Sequence, residues 1–92
     1  MLKWLQLLIN PAARAACVKA KALVAQDPAR TVEWAALRAD EADRWVFAVF
    51  HDNPALPDMP SPYKLIAVSK HSGDTEELRG AAAKPYRLRG YK

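Results

Sequence analysis

Six consecutive apolar residues, Trp45-Val46-Phe47-Ala48-Val49-Phe50, constrain the fold of this chain more than any other segment. The run is rich in aromatic and β-branched residues and is bounded by Asp43 and by Asp52-Asn53-Pro54, which is typical of a strand. Because side chains alternate between the two faces of a strand, both faces of this one are apolar. We therefore predict a central strand.

The length of 92 residues predicts a single domain, 1–92, and the one cysteine, Cys17, excludes an internal disulfide. No apolar run approaches the ~20 residues of a membrane span, and the apolar stretch Trp4–Ile9 is too short for a signal peptide. We expect a cytoplasmic protein with a reduced thiol, no membrane association and no cofactor.

Residues 1–27 are predicted to be helical. Asn10-Pro11 is typical of a helix start, and Asp27-Pro28 ends the segment because proline disfavours the helical conformation at the preceding residue. The pattern leaves open whether the region is one helix kinked at Asn10-Pro11 or two helices. A helical period places small apolar residues on one stripe; its members are Ala13, Ala16, Cys17, Ala20, Leu23 and Val24.

Residues 31–78 are predicted to form an antiparallel meander. Residues 31–39 fit either a helix or a strand, and the alternation of Val32, Trp34 and Ala36 favours a strand. The central strand follows a turn that contains Asp40, Glu41 and Asp43. Residues 63–70 give a third strand, Gly73 lies in a turn, and 75–78 add a short fourth strand.

Two segments outside these elements have distinct compositions. Residues 53–62 contain four prolines and no glycine, which predicts an extended surface loop. Residues 79–92 carry five basic and no acidic side chains and are predicted to be a basic tail or an edge strand. The three tryptophans are expected in the core, since a small domain needs large aromatic residues there; they are Trp4, Trp34 and Trp45.

Together these elements predict an α+β fold, in which an N-terminal helix packs on a three- to four-stranded antiparallel meander. Such a sheet has exposed edges, at residues 31–39 or in the tail, so a homodimer is a further expectation.

The order of elements resembles the cystatin-like group of small α+β domains. The segment YKLIAVSKHSGDTEEL looks like the strand and turn that end PepSY-type domains and several bacterial immunity proteins, with Val68, Lys70, Gly73 and Leu78 at the matching places. Upstream, DRWVF resembles their second strand, so that the resemblance covers roughly residues 12–78. The proline-rich loop, Ser69 and the basic tail depart from the pattern.

The resemblance implies a binding protein that inhibits a toxin or a peptidase, or an accessory module, without catalytic residues. We therefore predict a small non-enzymatic protein-binding module, with an immunity or inhibitor role as its sharpest version.

Residues that could carry chemistry have simpler explanations. Cys17 lies in the apolar helix stripe, and Ser69, His71 and Asp74 fit a surface turn better than a catalytic triad. A small enzyme or metal site would need His51, Asp52 and His71 to meet, which requires the second and third strands to align there.

Charge is distributed unevenly along the chain. Residues 1–38 carry six basic and two acidic side chains, and residues 39–78 carry three basic and eight acidic ones. All the charged side chains of residues 79–92 are basic. Nucleic-acid binding by the basic segment is therefore an alternative function, with Arg87, Arg89 and Lys92 on phosphates and Tyr86 or Tyr91 stacked on bases. The acidic middle segment opposes it, because it would repel a polyanion.

The predicted partner-binding residues lie in the proline-rich loop, the adjoining strand end and the basic segment. They are Leu56, Asp58, Met59, Tyr63, Tyr86, Arg87, Arg89 and Tyr91. Apolar side chains in an exposed loop mark a contact surface, and the charged ones would steer the encounter.

Overall fold

The computed structural model describes residues 10–52 and 62–87. Helix α1 is Pro11–Ala25. Four strands follow: β1 Val32–Asp40, β2 Arg44–His51, β3 Tyr63–Ser69 and β4 Thr75–Leu78. They form one antiparallel sheet in the order β1-β2-β3-β4. The predicted α+β fold is therefore confirmed, with residues 31–39 as a strand and with four strands in the meander.

The start of α1 is fixed by its cap. The Asn10 side-chain oxygen accepts hydrogen bonds from the backbone N–H groups of Ala12 and Ala13, at 3.0 and 3.2 Å. Pro11 occupies the first helical turn, where its missing N–H costs nothing. The question of a kink or split at Asn10-Pro11 involves residues 1–9, which lie outside the described residues.

The sheet face that contacts α1 is called the first face. The alanine stripe of the helix is buried there, with Ala13 and Ala20 at 0% exposure. Small side chains let the helix lie close to the larger residues of the sheet; these are Leu37, Trp45, Phe47, Val49, Ile66 and Val68. Cys17 and Leu23 pack at the margin of this core and are only partly buried.

The opposite face of the sheet, called the second face, is also buried. Its core residues are Val46, Ala48, Phe50, Leu65, Ala67, Leu78 and Ala83. The central strand β2 is thus apolar on both faces because both are covered, as its sequence predicts.

The prediction that residues 79–92 form a basic tail or an edge strand is wrong for the described residues 79–87, which we call the C-terminal segment. They form two short 3-10 turns, Gly80–Ala82 and Lys84–Tyr86. Ala83 between them is 2% exposed and packs into the second-face core. The chain turns into this segment at Gly80, whose φ of +57° favours glycine. Apolar surface left on the second face explains the fold-back, because covering it is favourable.

The prediction that the three tryptophans lie in the core is wrong for Trp34, which is 52% exposed. Trp45 is buried on the first face as predicted, and Trp4 lies outside the described residues. Trp34 lies on an edge strand and stacks on buried Phe50 of the second face, with ring centroids 4.2 Å apart. One side of its ring is covered by this contact.

Candidate functional site

A cleft lies at the end of the sheet where β2 and β4 end and β3 begins. Its volume is about 570 Å³, within the range typical of ligand sites. Its apolar lining comes from Leu65, Leu78 and Ala83, all buried in the second-face core. We call it the strand-end cleft. It exists because the C-terminal segment folds back beside this end of the sheet.

Charged side chains of both signs line the strand-end cleft. The basic ones are Arg30, Lys64, Arg79 and Arg87, and the acidic ones are Asp27, Asp52 and Glu77. The cleft therefore has one more basic than acidic side chain.

Most of these charges pair with each other. Arg30 Nε lies 3.0 Å from Asp27 Oδ2, while Glu77 Oε2 lies 3.3 Å from Lys64 Nζ and 3.1 Å from Arg79 Nε. Burial raises the pKa of Glu77, but hydrogen bonds from Arg79 and Lys64 outweigh it, so that the pKa is lowered. Within the described ranges, Arg87 is exposed and forms no ion pair.

His51 lines the cleft and is 3% exposed. Its Nδ1 lies 2.8 Å from the carbonyl oxygen of Asp52, and its Nε2 lies 3.1 Å from Arg30 Nη1. A carbonyl only accepts and a guanidinium only donates, so we assign the proton to Nδ1 and the lone pair to Nε2. The imidazole thus holds Arg30 in place at the cleft.

The hypothesis of a site that joins His51 and His71 is wrong. The β2–β3 register pairs Arg44 with Ser69, so His71 follows the end of β3 that is farthest from His51. Seven residues of strand separate these ends by about 20 Å. No group of three metal-binding side chains occurs in residues 10–52 and 62–87.

Ser69 and its neighbours form a turn. The Ser69 hydroxyl accepts hydrogen bonds from the backbone N–H groups of His71 and Ser72, each at 3.2 Å. Gly73 completes the turn with φ of +76°. The hydroxyl therefore has a structural role in the turn.

Tyr86 is held by a polar network. Its hydroxyl donates to Glu41 Oε2 at 2.7 Å and accepts from Arg44 Nη2 at 3.0 Å. Arg44 Nε also donates to Glu41 Oε1, at 2.9 Å. The hydrogen bonds from Arg44 and Tyr86 lower the pKa of Glu41, and those to Glu41 and Tyr86 raise the pKa of Arg44. Two of the three turn acids are thus engaged in contacts, Glu41 in this network and Asp40 in an ion pair with Lys70.

An aromatic row crosses three strands at the same sheet end. Trp34 stacks on Phe50 with planes 6° apart, and Phe50 contacts Tyr63 at 5.5 Å between ring centroids. The strand register sets the row, since Phe50 is opposite both other residues.

Of the predicted partner-binding residues, two line the strand-end cleft, namely Tyr63 and Arg87. Tyr86 instead belongs to the network at the β1–β2 turn. Five lie outside the described residues: Leu56, Asp58, Met59, Arg89 and Tyr91.

Sequence reasoning missed Arg30, Lys64 and Arg79 as parts of the cleft. Lys64 precedes apolar Leu65 near the start of a predicted strand, and this polar–apolar pair only weakly indicates a charged strand end. Arg30 and Arg79 lie outside helices and strands, so no periodic pattern predicts where their side chains point.

No helix in the described part of the chain is long and apolar enough to cross a membrane. Comparisons with protein-family models, with curated proteins and with solved structures find no match.

Proposed function

We propose that this chain is a cytoplasmic, non-enzymatic protein-binding module, and that its partner inserts an acidic side chain and a neighbouring apolar one into the strand-end cleft. The observation that carries this proposal is the combination of an apolar lining with an excess of basic side chains. An acidic side chain would contact Arg87, while an apolar one would cover Leu65 and Leu78.

The position of the cleft supports a macromolecular partner. It opens at strand ends, and its lining includes Pro62, the last residue of the proline-rich segment 53–62, and Tyr63, which follows it. Loops and strand ends on a rigid sheet are common places for recognition. Of the residues predicted from sequence to bind a partner, Tyr63 and Arg87 line this cleft.

The state of the nucleophilic side chains also favours binding over catalysis. Cys17 is half-buried on α1, and burial raises the pKa of its thiol, which opposes thiolate formation. The Ser69 hydroxyl serves its own turn. The finer role, inhibition of a toxin or peptidase, rests on the cystatin-like resemblance and stays a prediction.

The cleft can be tested with a displayed peptide library selected against the purified protein. We expect selected peptides to carry Asp or Glu next to an apolar residue. The double variant Arg79→Glu/Arg87→Glu changes two exposed side chains and should bind them about tenfold more weakly, since charge at an interface edge contributes up to ~1 kcal/mol per residue.

The matched control is Arg14→Glu/Lys21→Glu, which reverses two exposed charges on α1 away from the cleft. It should bind as the wild type does. Peptides without acidic residues, or an equal loss in both variants, would refute the proposal.

Nucleic-acid binding is the competing function, and the basic excess at the cleft is the observation in its favour. The contacts of Tyr86 oppose it, since its hydroxyl is bonded and the Arg44 guanidinium carbon lies 5.8 Å from its ring centroid. Fluorescence anisotropy with a labelled oligonucleotide at two salt concentrations distinguishes the functions. Binding at ~50 mM salt that weakens steeply with added salt would favour the nucleic acid.

A further inference from the structure

The last strand of the sheet, β4, presents unpaired backbone groups. In the sheet order, β4 pairs with β3 and is at an edge among the described strands. The backbone N–H of Ser69 donates to the carbonyl oxygen of Asp74 at 2.9 Å, so this opposite pair is hydrogen-bonded. Hydrogen-bonded and non-hydrogen-bonded pairs alternate along an antiparallel ladder. Thr75 and Glu77 therefore direct their N–H and C=O groups away from β3.

These outward backbone groups are available for pairing. Among residues 10–52 and 62–87, none bonds the outward N–H and C=O groups of Thr75 and Glu77. The contacts of Glu77 with Lys64 and Arg79 use its carboxylate and leave its backbone unpaired. Such an edge is a template for a further strand. We infer that the partner of the strand-end cleft adds an extended segment to β4 as an antiparallel strand, with apolar side chains towards α1 and basic ones beside Glu76.

The inference rests on the proposed function, since it describes how the same partner binds next to its cleft. Leu78 ends β4, and Leu78, Arg79 and Gly80 line the strand-end cleft. A segment paired with β4 therefore leads directly to the cleft, where the acidic and apolar side chains of the partner are expected. Antiparallel pairing continues the pattern of the sheet and is slightly more stable per residue than parallel pairing.

A groove between α1 and β4 selects the side chains of the added strand on the first face. Thr75 belongs to this face, since it is opposite Val68 of the first core. The groove has a volume of about 270 Å³, and its lining includes Thr75, Ala22 and the partly buried Leu23. A residue opposite Thr75 points to the same face and places its side chain in this groove. An apolar side chain fits best there, because it covers Leu23.

Acidic side chains beside β4 select basic residues on the second face. Glu76 belongs to this face, since it is opposite Ala67 of the second core, and Asp74 lies two residues earlier on the same side. Asp74 is exposed and forms no ion pair within the described ranges. Glu76 is 71% exposed, and its Oε1 lies 4.0 Å from Arg44 Nη1, while Arg44 is already bonded to Glu41. Both carboxylates therefore favour basic cross-strand neighbours.

A second copy of this chain fits the β4 edge poorly. Each two-fold axis within Thr75–Glu77 would set two carboxylates directly opposite each other. An axis at Glu76 or at Glu77 sets that residue against its own copy, and an axis at Thr75 sets Asp74 against Glu76. Like charges directly opposite each other destabilise a strand pair. The charge of this edge thus favours a different protein as its occupant.

A synthetic peptide with alternating residues tests the pairing. The probe is acetyl-Lys-Val-Lys-Val-Lys-Val-amide, titrated into the isotope-labelled wild-type protein and followed by NMR. We expect a Kd of roughly 0.1–1 mM, because one short strand buries less surface than a stable complex requires. The amide proton signals of Thr75 and Glu77 should shift most, since these N–H groups gain acceptors. The amide of Glu76, which faces β3, is the internal control and should shift less.

Methylation of the peptide backbone distinguishes strand pairing from simple charge attraction. In the antiparallel pair, the valines opposite Thr75 and Glu77 exchange hydrogen bonds with β4, whereas the lysine N–H groups point to solvent. The peptide methylated at its three valine nitrogens should lose detectable binding. The peptide methylated at its three lysine nitrogens carries the same charge and should bind nearly as well as the unmodified one. Equal binding of the two methylated peptides would overturn the inference.

Charge variants of the protein test the contact on the second face. Glu76→Lys should weaken binding of the alternating peptide about five- to tenfold, because a favourable cross-strand pair becomes a repulsive one. The matched control is Glu33→Lys, which reverses an exposed acidic side chain on β1, at the opposite edge of the sheet. It should bind the peptide as the wild type does. An equal loss in both variants would contradict binding at β4.

The strand pairing and the cleft fail separately. Arg79→Glu/Arg87→Glu should lose the acidic peptides of the cleft and keep the alternating peptide, whereas Glu76→Lys should show the opposite pattern. If the alternating peptide leaves the Thr75 and Glu77 signals of the wild type unchanged, the inference is wrong and the proposal for the cleft is unaffected. If the selected cleft peptides lack acidic residues, the cleft proposal is refuted while pairing at β4 is still measured directly.

Discussion

One hydroxyl group connects the C-terminal segment to the β1–β2 turn. The Tyr86 hydroxyl bonds Glu41 and Arg44, and the Tyr86 carbonyl oxygen accepts from Arg38. The side chains of Arg44 and Glu41 are 30% and 38% exposed, so solvent screens part of their attraction. The contribution of the network is therefore that of hydrogen bonds to charged groups, reduced by exposure.

We predict that Tyr86→Phe lowers the free energy of unfolding by about 1 kcal/mol, because it removes the hydroxyl and keeps the ring. Urea unfolding followed by circular dichroism measures the change. In the double variant Tyr86→Phe/Glu41→Gln, the loss should be smaller than the sum of the single losses, since the two residues share one network. Additive losses would show that the hydroxyl and the carboxylate act separately.

At the scale of elements, the C-terminal segment completes the second core. Ala83 is 2% exposed against Leu78 and its neighbours, while Ala82, one residue earlier, is exposed. Two adjacent alanines thus have opposite environments within one segment.

This contrast gives a prediction with a matched control. Ala83→Asp should destabilise the fold by about 2–4 kcal/mol, because it buries a carboxylate in an apolar cluster. Ala82→Asp makes the same chemical change in solvent and should cost little. Thermal melts of both variants decide the matter, and equal melting temperatures would mean that the segment does not pack on the sheet.

Local patterns allowed most elements to be predicted. The Asn10 cap, the alanine stripe and the apolar run of β2 depend on neighbours in sequence, and the structure has each of them at the expected place. Residues 32–40 are also a strand, but a register shift between Val32 and Trp34 interrupts the alternation from which that strand was predicted. Gly73 similarly marked its turn, since few other residues adopt a positive φ.

Long-range packing explains what could not be predicted. The fold-back of the C-terminal segment depends on apolar surface contributed by β2, β3 and β4, which local sequence does not report. The exposure of Trp34 depends on β1 being an edge, which is a property of the sheet order. The strand-end cleft combines both effects, so only Tyr63 and Arg87 of its lining were predicted.

On the scale of the whole molecule, folding brings the basic and acidic segments of the sequence together. Three of the carboxylates that accept hydrogen bonds in the folded state are Asp27, next to Ala29 N–H and Arg30, Glu41 at the β1–β2 turn, and Glu77 at the cleft. The pKa of each is lowered, which makes the stability of the molecule dependent on pH.

We predict that the protein loses stability in acid. A carboxylate whose folded pKa is below its unfolded value stabilises the fold above the unfolded pKa, and this contribution is lost as the pH falls through the folded pKa. For Glu41 the unfolded value is near 4.5, so the free energy of unfolding should decline from about pH 5 towards pH 3. Glu41→Gln should be less stable than the wild type at neutral pH and should show a shallower decline. Glu76→Gln removes the charge of a side chain that is 71% exposed and whose Oε1 lies 4.0 Å from Arg44 Nη1, so its stability should follow that of the wild type across this pH range. A decline that is identical in Glu41→Gln and the wild type would mean that the acid sensitivity comes from other carboxylates.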